Sequence, residues 1–191
     1  MMVLEFTGTV RATRSGPVDT LADVAGMTGW ARAHAAELGL DPGFTATEQL
    51  RREVVELRQS VRALFARAVA PAPPSSADAH RLPEFAEALA LVNSAALAVP
   101  LAARLEWPDG GVPTTRQVPS GDADVSARIR AALASAAIAL LSGPERERLR
   151  VCPSPPCVLY FIKEHARQEW CSVGCGNRAR AARHYRQHRT A

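Results

Sequence analysis

The chain has 191 residues, enough for one well-packed domain and a small appendage, and 47% hydrophobic against 22% charged residues exclude wholesale disorder. Aromatic residues are only 5%, so alanine and leucine carry the apolar content, which points to helices packed on helices and away from a sheet sandwich. The net charge of +4 sits at one end: residues 145–191 hold ten basic against four acidic side chains, a balance of +6 that leaves −2 for residues 1–144 and points to a polyanionic partner.

The opening VLEFTGTV alternates weakly and reads as a short strand or an extended lead-in. Residues 19 to about 38 read as helical, with Asp19 as the cap and Gly26 and Gly29 as points where the segment divides. Thr45 and Glu48 have the spacing of a capping box, and Leu50, Val54, Leu57, Val61, Leu64 and Ala68 follow in steps of four and three. One apolar stripe then faces a core, with Arg51, Arg52, Glu56, Arg58 and Arg62 turned mostly to water. APAPPSSAD is a linker, and a helix follows from near Pro83 to about Leu97. LAARLEW and TTRQV flank PDGG, which predicts a β-hairpin with Gly110 or Gly111 supplying a positive φ. Residues 124–141, DVSARIRAALASAAIALL, predict a helix whose alanines suit close packing at the centre of a bundle. Ser142, Gly143, Pro144 and Glu145 stop it and cap a short helix, PERERLR. No window approaches the apolar run that a bilayer requires, and the N-terminus shows no basic segment followed by an apolar one. The expectation is a cytoplasmic protein with no membrane partner.

Cys152, Cys157, Cys171 and Cys175 give C-x4-C-x13-C-x3-C, and no cysteine precedes them. Two close pairs are what one tetrahedral Zn²⁺ requires, each pair clamping two corners while the intervening segment brings the pairs together. Two disulfides or a redox pair, and an iron–sulfur cluster, stand as alternatives; the disulfides need an oxidising compartment, for which no export signal speaks. Four thiolates close the coordination sphere, which argues against a hydrolytic zinc. His165, His184 and His188 are candidate substitute ligands, read here as solvent-facing or phosphate-facing members of a basic segment.

Pro153, Pro155 and Pro156 make the first pair a rigid turn whose sulfurs converge. GNRARAARHYRQHR after Cys175 is compatible with a helix once Gly176 is passed, which places the second pair at a helix N-terminus, where the dipole favours thiolates. A knuckle followed later by a helix that supplies the last ligands is a treble-clef-like arrangement. Val158, Leu159, Tyr160, Phe161, Ile162 and Trp170 provide its apolar packing, and the metal supplies the rest of its folding energy.

At WCSVGCGNRARAARHYR the chain resembles the CGNR zinc-finger family, through Cys175, Gly176, Asn177 and Arg178 with Trp170 ahead of the third cysteine. The resemblance implies a larger, mostly helical ABATE domain before the finger, and membership among stress-induced transcription regulators of bacteria. The fold class expected is therefore mainly α: a multihelical domain with a small β-hairpin over 1–145, then a four-cysteine zinc finger with a basic C-terminal helix over 150–191, holding one structural Zn²⁺.

On a helix starting near Gly176, Arg178, Arg180, Arg183, Arg186 and Arg189 spread over more than half the circumference, with His184 among them. These six are the candidate nucleic-acid contacts, because guanidinium forks suit phosphate oxygens and a helix in a major groove reaches base edges. DNA is the expected partner, with RNA second. The competing readings are a solvated tail, with Arg178 serving inside the finger, and a finger that scaffolds another protein. No glycine-rich phosphate loop, H-E-x-x-H or G-x-S-x-G occurs, and His34 and His80 have no evident nucleophile beside them, so no catalytic residue is assigned and no enzyme is expected. The helical domain is expected to sense a signal or to dimerise; no polar constellation identifies a small-molecule effector.

Overall fold

The computed structural model describes residues 1–13 and 16–188, with side chains as far as Tyr185. In chain order they form α1 (Met2–Thr7), β1 (Val10–Thr13), β2 (Gly16–Asp19), α2 (Val24–Ala33), α3 (Ala35–Leu38), α4 (Glu48–Ala68), α5 (Phe85–Leu97), β3 (Leu101–Glu106), β4 (Thr114–Pro119), α6 (Val125–Ser142), β5 (Leu149–Val151), β6 (Tyr160–Ile162) and α7 (Val173–His188), with 3-10 turns at Ala79–Arg81 and Pro144–Arg148. The fold is mainly α, and each β-pair is an antiparallel two-stranded unit.

The bundle is α4 packed on α5 and α6, with α1 laid against α4 and α6. The stripe Leu50, Val54, Leu57, Val61 and Leu64 is buried, and it meets Ala88 and Val92 of α5 and Ile129, Leu133, Ala134 and Ala137 of α6. Small side chains on α6 let the helix axes approach closely. Over its 18 residues α6 has a mean hydropathy of 1.4, long and apolar enough by length and composition to cross a membrane, which corrects the expectation that no window comes near. Its apolar surface is used against α4, α5 and α1.

Several local expectations change. MVLEFT is a helix, α1, because Val3 and Phe6 lie three apart on one face and both are buried. Asp23, not Asp19, caps α2 by accepting from the Gly26 N–H, and the break before α3 falls at His34, not at a glycine. Thr47, not Thr45, caps α4 by accepting from the Leu50 N–H, while Glu48 pairs with Arg51. A second hairpin, β1–β2, accompanies the expected β3–β4, in whose turn Gly110 has φ +71°.

The largest correction concerns α4. Arg58 and Arg62 are not turned to water: they are 1% and 0% exposed. At 100° per residue they share a flank with Phe65, also fully buried, so the buried face is wider than the leucine and valine stripe. Arg58 makes a two-pronged contact with Asp19, at 2.6 and 2.7 Å, and also donates to Thr9 Oγ1 at 2.8 Å. Burial works against the Asp19 carboxylate, but the hydrogen bonds and charge of Arg58 outweigh it and hold its pKa below the ordinary value. Arg62 donates to Asp78 Oδ2 from Nε and Nη2, to the Thr7 carbonyl at 2.6 Å, and to the Val158 carbonyl at 2.7 Å. Its guanidinium also lies over the Tyr160 ring, 5.3 Å from the centroid. One side chain thus ties together α4, the end of α1, the linker and the residue that follows the second cysteine.

Arg62→Met leaves Asp78, itself 2% exposed, as a buried charge without its partner. The expected loss is about 3–5 kcal/mol of unfolding free energy in urea titrations, while Arg52→Met, on the exposed side of α4, stays within about 0.5 kcal/mol of the parent.

Candidate metal centre

The first cysteine pair sits on a hairpin. β5 and β6 pair with Leu149 opposite Ile162 and Val151 opposite Tyr160, and the ladder continues as the Cys152 N–H donates to the Leu159 carbonyl at 2.9 Å. Alternation along this strand divides its side chains between two cores. Tyr160 and Ile162 face the bundle, where Tyr160 meets Phe65 edge to face; Leu159 and Phe161 pack around the cysteines together with Trp170. Burial pushes the Tyr160 hydroxyl up to about 12.

The second pair enters from α7. This helix starts at Val173, three residues before the expected point, so Cys175 lies in its first turn with the Ser172 hydroxyl accepting from the Cys175 N–H at 3.2 Å. Ser154, 1% exposed, joins the halves: its hydroxyl donates to the Cys175 carbonyl at 2.8 Å, and its own carbonyl accepts from the Cys157 N–H at 2.7 Å. Neither serine stood out in the sequence. The signal available was only that each lies beside a cysteine pair.

All four sulfurs lie within 4.8 Å of one another, with Cys157 to Cys171 at 3.8 Å and Cys171 to Cys175 at 3.4 Å. A tetrahedron with zinc–sulfur bonds of about 2.3 Å has sulfur–sulfur edges of roughly 3.8 Å, so the donor set fits one such ion. No disulfide joins any of the four, and all four sulfurs converge on one centre, as a single metal site needs. Four thiols this close cannot all ionise unaided: hydrogen bonds from Cys157 and Cys171 pull Cys152 far below the ordinary thiol value, and the hydrogen bond to Cys152 pushes Cys171 far above it. Cys152, Cys157, Cys171 and Cys175 would hold a dication, whose charge would favour the thiolate form of all four. Backbone N–H groups of Ser154 and Cys171 point at the Cys152 sulfur, and that of Leu159 points at Cys157, as a thiolate cluster needs.

Each residue of the CGNR tetrapeptide has a role. Cys175 supplies a sulfur. Gly176 lies against Trp170, where an added Cβ would stand 3.0 Å from the indole ring. Asn177 Oδ1 accepts from Arg180 Nη2 at 2.6 Å, and Arg180 also lies over the Trp170 ring at 5.5 Å. Arg178 donates from Nη2 to the Cys175 sulfur at 2.9 Å, and that bond raises its own pKa. This places Arg178 at the thiolate cluster, where it offsets the charge of −2 left by one Zn²⁺ and four thiolates. Arg180, Arg183 and His184 are exposed on the outer part of α7. The side chains of Arg186 and His188, and the whole of Arg189, lie outside the described residues. His165 is exposed and is not among the residues that converge with the cysteines.

A helical bundle joined to a zinc finger whose four cysteines can hold one structural metal ion defines the class of protein. Residues 1–144 match the ABATE family, whose description is "Putative stress-induced transcription regulator", and residues 148–188 match the CGNR zinc finger. The chain belongs to the ABATE family, carries a C-terminal CGNR zinc finger, and has the ligand set for one structural Zn²⁺. No curated protein matches it.

Cys171→Ser is expected to lose the zinc, read by metal content after gel filtration, and to lose the far-ultraviolet signal of α7 while α4, α5 and α6 stay helical. Retention of one zinc per chain would refute the ligand assignment.

Proposed function

We propose that this protein is a transcriptional regulator whose zinc finger contacts DNA through α7, and that the unit of residues 1–145 senses a signal or dimerises while residues 150–191 form the contacting unit, acting in the cytoplasm. The observation that carries this reading is a basic stripe on an uncovered helix. Arg180, Arg183 and His184 are spaced i, i+3 and i+4, so they share one face, and residues 180–185 are all exposed. Arg180 is held in place by Asn177 and Trp170, which lowers the entropy lost when it meets a phosphate. RNA offers the same phosphates, and the test separates the two. The reading assigns no catalysis, since four thiolates fill the metal's coordination sphere.

The experiment is a fluorescence-anisotropy titration of the zinc-loaded protein against duplex DNA and RNA at several salt concentrations. Affinity is expected to fall steeply with salt and to vanish on chelation. Arg183→Ala is expected to reduce the salt slope by about one unit without loss of zinc. An absence of binding at low salt would overturn the reading in favour of a finger that scaffolds another protein.

A further inference from the structure

Among the described residues the β3–β4 hairpin makes no extensive contact with any other helix or strand. Every residue of β3 except Glu106 is exposed, and Leu105, Trp107 and Val112 are 63%, 68% and 78% exposed. A two-stranded hairpin alone is marginal in water, so a face this apolar points to a partner. Its two edges differ. The Ser120 N–H donates to the Pro100 carbonyl at 2.8 Å, one step beyond the Leu101–Pro119 pair, so the ladder bonds fall on the even-numbered residues of β3. Leu101, Ala103 and Leu105 therefore direct both backbone groups outward. On β4 the outward positions include Pro119, which has no N–H, and Pro113 stands just before the strand. Proline guards the β4 edge, while the β3 edge keeps a complete row of donors and acceptors.

The geometry points to self-association: two copies of this chain pair antiparallel through their β3 edges, joining two hairpins into one four-stranded sheet. Charge fixes the register. With Leu105 opposite the second copy's Leu105, Arg104 faces the second copy's Glu106 on one side of the sheet, and Ala103 faces the second copy's Trp107 on the other. One step back sets Arg104 against Arg104; two steps back sets it against Ala102. Only the first register joins opposite charges and places a large ring over a small side chain. Within one copy Glu106 already lies 2.7 Å from Arg104 and 3.3 Å from Arg116, so the dyad extends an existing charge network. This inference deepens the dimerising part of the functional reading and is independent of the nucleic-acid part.

Sedimentation equilibrium of the full, zinc-loaded chain without nucleic acid is the test, and it leaves DNA binding to be judged on its own. The parent is expected to be a dimer. Ala103→Pro deletes an outward N–H that the β3–β4 ladder does not use, and is expected to weaken self-association by at least roughly tenfold with an unchanged circular dichroism spectrum. Arg104→Glu and Glu106→Arg are each expected to weaken it, and the two together to restore it, which a merely structural role for either charge would not do. A parent that stays monomeric at its highest soluble concentration overturns the proposal and leaves the edge to a different partner. A dimer indifferent to Ala103→Pro, with no rescue by the double exchange, overturns it and places the interface elsewhere.

Discussion

The buried guanidinium of Arg62 is the interaction on which the arrangement of this protein depends. Taking an arginine wholly out of water costs several kcal/mol unless each of its donors is answered. Here Asp78 answers two of the five N–H groups, the carbonyls of Thr7 and Val158 answer two more, and the Tyr160 ring lies against the guanidinium. None of these three groups could move away without leaving buried N–H donors of a charged group unsatisfied. The helix, the linker, the N-terminal segment and the zinc knuckle are therefore held in one geometry by a polar constraint, where apolar burial alone would permit sliding. One turn earlier Arg58 makes a similar buried contact through its two terminal nitrogens, to Asp19 and Thr9, and ties the ends of the β1–β2 unit to α4, with its Nε left without a partner.

This constraint changes what the finger is. A small four-cysteine module commonly draws its stability from metal and a few apolar residues. In this chain β6 and the residue before it have two faces, one packed around the sulfurs through Leu159 and Phe161 and the other inserted into the bundle through Tyr160 and Ile162. The knuckle is thus a shared wall between the metal centre and the helical core. On α7, Arg180, Arg183 and His184 are exposed.

The sequence made the metal centre almost wholly legible, because ligand chemistry is written in residue type and spacing: two cysteine pairs admit few arrangements. The helices with strong apolar periodicity, α4, α5 and α6, were equally legible. The buried arginines were not, since an apolar moment treats every arginine as solvent-facing, and the partners Asp19 and Asp78 are 39 and 16 residues away in the chain. Phe65, on the same flank, was the one local sign that the buried face was wider. The role of Arg178 was legible only as an alternative, because its distance from a sulfur depends on where the helix begins. The start of α7 at Val173 moved it from the outer face to the metal.

Hydrogen exchange of backbone amides, in the zinc-loaded protein and after chelation, tests the central claim most directly. If Arg62 couples knuckle and bundle through the Val158 carbonyl, removing zinc frees that carbonyl, and exchange accelerates in α1 and around Thr9 as well as in residues 149–175. Acceleration confined to residues 149–188, with α1 and Thr9 unchanged, would contradict it and make the finger an independent module resting against the bundle.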